Sequence, residues 1–330
     1  TTATLTLSNP AAGSLSTGTS GAVTSTYVAG TGVWTASGAL ANVNTLLAGV
    51  IFTPAANFNS SFTIATSVSD GVAPAVTGSK ALTGIPVNVV VPIKAMLDGP
   101  YVTANLQMND GLRAGGLVPA AHPYGGAPWN HPGSETVAPA VLAVAGTNAI
   151  VDWVLVELRA SGDNTTVVAR AAGLLQRDGD VVATNGSSSL TLSAPSGSYY
   201  VVLRHRNHLG VMSASPLALT GSSSTVDFTL SGTATFGTAA RKDVNGMQVL
   251  WAGDVSSDGL LQYTGNGNDR DPILAKIGGT VPTNTTAGYW PEDCTLDGVV
   301  QYTGNGNDRD PILQNIGGTV PTNTRSEQVP

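Results

Sequence analysis

The chain has 330 residues, more than one compact domain ordinarily holds, so two or three domains are expected. Only 11% of residues are charged and 5% aromatic, while Gly accounts for 40 positions, which favours short strands joined by Gly/Pro turns over long helices. The net charge of −7 disfavours a nucleic-acid partner, and no apolar run is long enough for a transmembrane helix.

The single cysteine, Cys294, excludes an internal disulfide. The start at Thr1, with no basic and apolar leader, reads as a processed product or a piece of something longer. Charge is unevenly placed. Residues 1–91 hold only Asp70 and Lys80, whereas residues 251–330 hold ten acids against four bases. An acidic tail of this kind attracts cations.

In residues 1–91, Thr2–Ser8 alternates polar and apolar from Ala3 to Leu7 and reads as a strand. Ala22–Val28 and Gly32–Ala36 form a hairpin candidate across Ala29–Thr31. Val43–Phe52, the most apolar run, is placed among the strands. Phe62–Val68 and Ala75–Leu82 flank an Asp70–Gly71 turn. The stretch from Leu47 through Phe52 into TPAANFNSSFTIATSVSDG resembles the cadherin-like repeats of very large bacterial surface adhesins. That resemblance implies a β-sandwich, with Pro86–Val87–Asn88 as the linker to the next domain. Val89 stands where the family often carries an acid, so no interdomain calcium site is expected there. The uncharged first strand either pairs within its own domain or completes a neighbouring subunit's sheet.

Residues 92–240 read as a second β-sandwich. Ile150–Arg159 is the clearest strand and, being apolar on both faces, belongs at a sheet centre. Thr166–Gln176, Asp180–Ala183, Ser189–Ser193, Tyr199–His205 and Thr225–Leu230 follow as strands. Met108–Ala114 suggests a helical turn, and Ala120–Gly133 a long loop. DWVLVELR, LLQRDGD and YVVLRHRNHLG are similar to a module near the C-termini of large secreted bacterial proteins, which implies no chemistry. His205 and His208 are open to a metal-pair reading, but at a strand end they are expected on opposite faces, bonding loop carbonyls or Glu157 and Asp180. Glu135, Asp152 and Glu157 have no spacing that selects them as a catalytic carboxylate pair. Trp129, with Tyr124 and His131, is expected to pack its loop over the sandwich edge rather than stack on a sugar.

Residues 241–330 contain a duplication at an offset of 39 residues, from Asp254 to Asp293. QYTGNGNDRDPIL and IGGTVPTNT are identical in the two copies. Each copy opens with Asp-x-(Ser/Thr)-x-Asp-Gly, the start of an EF-hand-type loop, which needs oxygens at positions 1, 3, 5 and 7 and a Gly at the sharp turn. The candidate calcium ligands are Asp254, Ser256, Asp258 and the Leu260 carbonyl in the first copy. Asp293, Thr295, Asp297 and the Val299 carbonyl match them in the second. Position 12, normally an acid, is Gly265 and Gly304. The closing role therefore passes to Asp269 or Asp271, and to Asp308 or Asp310. Asp271 and Asp310 precede prolines and also read as N-caps of short helices. The tail resembles dockerin modules, which carry two such loop-helix repeats.

The expected architecture is mainly β: tandem Ig/cadherin-like sandwiches at 1–91 and 92–240, then a duplicated calcium-loop and short-helix domain at 241–330. With no nucleophile elbow, zinc-binding helix or phosphate loop, the function expected is structural and non-enzymatic. The chain reads as a subunit of an extracellular or cell-surface bacterial filament, stabilised by calcium and joined head to tail to copies of itself. The alternative is an adhesin or anchoring segment that binds a surface protein or glycan.

Overall fold

The computed structural model of the chain describes every residue except 56, 57, 59 and 85–87. It is mainly β, and two compact units, Thr1–Val87 and Asn88–Pro330, divide it. The Pro86–Val87 part of the expected linker lies outside the described residues. Among the described residues no helix is long and apolar enough to cross a membrane.

The first unit is built on a five-stranded antiparallel sheet. Its strand order is Thr26–Val28, Val33–Ser37, Thr2–Leu7, Phe62–Ser69 and Val76–Leu82. The alternating Thr2–Leu7 strand lies at the centre, paired with Val33–Ser37 on one side and Phe62–Ser69 on the other. It turns Ala3 and Leu7 into a core with Trp34, Ala36 and Phe62. Both expected hairpins form, across residues 29–32 and 70–75. The apolar run that reads as a strand is instead a helix, Leu40–Ala48, followed by a short strand at Phe52–Pro54. Val43 and Leu46, three residues apart, lie on the buried face of this helix, a spacing that a strand would split between its two faces.

The second unit centres on an eight-stranded sheet. Ile150–Ala160 lies between Asp163–Gln176 and Gly197–His205, antiparallel to both. Ten of its eleven residues are buried, which is why the run is apolar on both faces. Gly111–Ala114 is a short helix, and residues 122–133 form no strand or helix. Thr225–Leu230 shortens to a two-residue strand, Val226–Asp227. Tyr199–His205 continues into a strand that sequence reading does not mark, His208–Met212. The two are joined by a turn of two residues, Arg206 and Asn207.

The duplicated tail belongs to this second unit, and its copies exchange elements. Leu260–Gln262 of the first copy pairs with Thr324–Ser326 at the end of the second. Val299–Gln301 of the second pairs with Thr285–Ala287 at the end of the first. The exchange is reciprocal in detail: Thr264 Oγ1 donates to the Pro321 carbonyl and Thr303 Oγ1 to that of Pro282, both at 2.9 Å. The helices Arg270–Lys276 and Arg309–Asn315 pack beside the other copy's strand. Ile273, Ile312, Val300, Val255 and Cys294 fill the space between the copies. Neither copy could bury its apolar face alone.

Candidate functional site

The two Asp-x-(Ser/Thr)-x-Asp-Gly loops follow the same backbone path. Position 4 is left-handed in both, with φ of 56° at Ser257 and at Leu296. Position 6 is left-handed too, at Gly259 and Gly298, where a Gly avoids the Cβ clash. These bends wrap the chain around the first aspartate. Asp254 accepts from the amides of Asp258 at 3.1 Å and Gly259 at 3.2 Å. Asp293 accepts from Asp297 at 3.2 Å and Gly298 at 2.8 Å. Asp258 and Asp297 each accept from the amide two residues on, those of Leu260 and Val299.

Asp269 and Asp308 fold back onto the loops. Asp269 accepts from the amides of Ser256 at 3.1 Å and Gln262 at 2.9 Å, and Asp308 from those of Thr295 at 3.1 Å and Gln301 at 2.8 Å. The Thr295 hydroxyl bridges Asp293 and Asp308, at 3.2 Å from each. Asp271 and Asp310 do not join them. Each is turned outward, paired with its neighbouring arginine, Arg270 or Arg309. Nor are they N-caps. The helices begin one residue earlier, at Arg270 and Arg309, which places these acids in the first turn. The N-cap positions are Asp269 and Asp308, and just before them Asn268 and Asn307 accept from the amides of Asp271 and Asp310 and donate back to their carboxylates. The reciprocal Asn-x-x-Asp spacing is the signal that sequence reading passed over.

Asp254 is 3% exposed, and Asp269, Asp293 and Asp308 are fully buried. Among the described residues none of the four forms a salt bridge. Burial, reinforced by the neighbouring carboxylate, pushes Asp254 up to about 7 and Asp308 up to about 8. Asp269 and Asp293 rise to about 6, mainly through burial. Two buried like charges facing backbone amides are costly to ionise, and only at Asp293 does a nearby cation, Arg206, offset part of that cost. A hard divalent cation among their oxygens would remove that cost, and carboxylate and hydroxyl oxygens are of the kind calcium takes.

The tail is held to the rest of the unit around these loops. Gly99 and Gly111 leave room for the second: a Cβ on Gly99 would meet the Cys294 carbonyl oxygen, and one on Gly111 would come within 2.8 Å of Asp297 Cα. Gly99→Ala is therefore expected to displace the second loop, weakening cation binding there about tenfold, with a smaller loss at the first loop. Site-resolved titration of the two loops would test this.

The histidines form two hydrogen-bonded groups. His205 and His208 are cross-strand partners closing the two-residue turn, so their rings meet at 4.8 Å instead of projecting to opposite faces. His205 bonds Asp152 at 3.1 Å, not Glu157 or Asp180. Glu157 is held by Arg159 and Arg170, and Asp180 by Lys94. In the other group His122, His131 and Glu135 place ligand-type atoms within 4.8 Å of one another. The Tyr124 amide donates to His122 Nδ1 at 3.1 Å, which leaves the proton on Nε2, donated to the Gly133 carbonyl at 3.0 Å. That tautomer opposes metal ligation through Nε2. Trp129 packs edge-on to Tyr124 at 5.6 Å, fixing its loop to the sheet. Glu135, Asp152 and Glu157 are each held by different partners. No family model, curated protein or solved structure matches the chain.

Proposed function

We propose that this chain is a non-catalytic structural segment of an extracellular or cell-surface bacterial assembly, with calcium in its duplicated, dockerin-like tail. The observation that carries this reading is the pair of buried carboxylates in each loop, Asp254 with Asp269 and Asp293 with Asp308, none of them in a salt bridge among the described residues and repeated on the same backbone. The cadherin-like first unit and the second sandwich module are the load-transmitting parts, and contacts between copies run head to tail.

Two features bear on how it joins its partners. The Thr2–Leu7 strand is paired on both sides within its own sheet, which counts against exchange of that strand between subunits. Ile273 and Ile312 in the tail helices, and Ile277 and Ile316 at their C-caps, are buried, which counts against a docking ridge of the dockerin kind and favours the structural reading over the anchoring one.

Calorimetric titration of the chelator-stripped chain is expected to show two calcium ions bound, and Asp258→Ala with Asp297→Ala to abolish both. Absence of binding by the unsubstituted chain would overturn the calcium assignment. Negative-stain microscopy in calcium tests the assembly: filaments support it, and dispersed monomers count against it.

A further inference from the structure

The turn Arg206–Asn207, at the tip of the hairpin formed by Gly197–His205 and His208–Met212, inserts between the two loops. Asn207 is fully buried there. Its carbonyl accepts from the amides of Gly253 at 3.0 Å and Asp254 at 3.1 Å, the entry to the first loop. Its side-chain amide donates to the carbonyls of Pro291 at 2.8 Å and Asp293 at 2.7 Å, the entry to the second. One residue thus holds position 1 of both loops. Arg206 adds a contact on each side: its carbonyl accepts from Ser257 Oγ at 2.7 Å, and its guanidinium donates to the Trp290 carbonyl. Asn207 is itself fixed, since its Oδ1 lies 2.8 Å from His208 Nδ1.

We propose that Asn207 is a positioning residue that couples the two calcium sites, so that an ion in one loop raises the affinity of the other. The inference rests on the calcium reading above. An ion in the second loop fixes the Asp293 main chain, and with it the Asn207 side chain. The Asn207 carbonyl is then already in place for the Gly253 and Asp254 amides when the first loop closes. The ordering cost of the turn is met once, by whichever ion arrives first. By linkage the effect is equal in both directions, and one shared buried turn is in keeping with a coupling of about tenfold.

The test is calcium titration of the full chain and of Asn207→Ala. In the unsubstituted chain the second ion is expected to bind about tenfold more tightly than the first. In Asn207→Ala two ions still bind, but independently. Independent binding in the unsubstituted chain, or coupling unchanged by Asn207→Ala, would overturn the inference. The reciprocal strand pairs between the copies are the alternative route, and the second outcome would point to them. Should Asn207→Ala fail to fold, Asp258→Ala supplies the test, because calcium then fills only the second loop. Hydrogen exchange at the Gly253 and Asp254 amides is expected to slow about tenfold on calcium addition. Unchanged exchange, with calcium bound, overturns the inference. No calcium bound by the unsubstituted chain overturns the calcium reading itself, and the coupling with it.

Discussion

Chelation of calcium is expected to lower the melting temperature of one unit and leave the other unmoved. A site filled at one hundred times its dissociation constant gains about 2.7 kcal/mol, so two such sites contribute roughly 5 kcal/mol. For a unit the size of Asn88–Pro330, where 1 kcal/mol moves the midpoint by about 2–4 °C, that corresponds to a fall of roughly 10–20 °C. The whole unit should respond, because the loops are tied through Asn207, Gly99 and Gly111 to the strands and turns around the large sheet. The first unit has one acid, Asp70, which bonds the amides of Val72 and Ala73 within its own turn, so nothing in it answers to calcium. Scanning calorimetry with and without chelator should therefore resolve two transitions, only one of which shifts. Coincident traces would count decisively against calcium in the tail.

Much of this arrangement was legible in the sequence where it is local. Strict alternation marks Thr2–Ser8, and two-sided apolarity marks Ile150–Arg159 as central, because a strand's period of two reports burial directly. The loop acids were legible as a pattern but not as a set. Asp269 and Asp271 are two residues apart and chemically alike, and only the backbone path decides that one faces the loop and the other Arg270. The run from Val43 reads as a strand because a short apolar stretch satisfies both periodicities. The His205–His208 pair reads as diverging because the Arg206–Asn207 turn between the paired strands lacks the Gly that usually marks a two-residue hairpin.

The duplication itself holds a subtler signal. Identity persists in QYTGNGNDRDPIL, whose residues contact the other copy in reciprocal ways. The copies diverge where their surroundings differ. Asn315, which stands where the first copy has Lys276, donates to Asp98 and to the Ala252 carbonyl. Glu327, where the first copy has Gly288, accepts from Arg204 and the Gly210 amide. Lys276 instead lies over the Trp290 ring, 3.8 Å from its centroid. Differences between near-identical repeats thus mark the face that meets the rest of the unit, which a single reading of either copy could not show.

Asp152→Ala is expected to destabilise the second unit by about 3–5 kcal/mol, the cost of leaving a buried charge without its partner. Asp152 is fully buried and accepts from Arg206 Nε at 2.9 Å and from the Tyr289 hydroxyl at 2.6 Å, with His205 Nε2 at 3.1 Å. Arg206 is 4% exposed, so water cannot take over the lost interaction. Tyr289 leads into the second loop and Arg206 holds the Trp290 carbonyl, so the damage reaches the tail as well as the sheet. The pH dependence gives the effect a sign. Burial raises the Asp152 carboxyl, but Arg206, His205 and Tyr289 outweigh it and hold it near a pKa of about 2, below its ordinary 3.8. A depressed pKa means the native state binds fewer protons. The stabilisation is therefore fully present above 3.8 and is lost as pH falls toward about 2. Urea unfolding as a function of pH should show that acid limb in the unsubstituted chain and a flatter one in Asp152→Ala. An equal slope in both would mean that the Arg206 pairing does not set the acid stability of this unit.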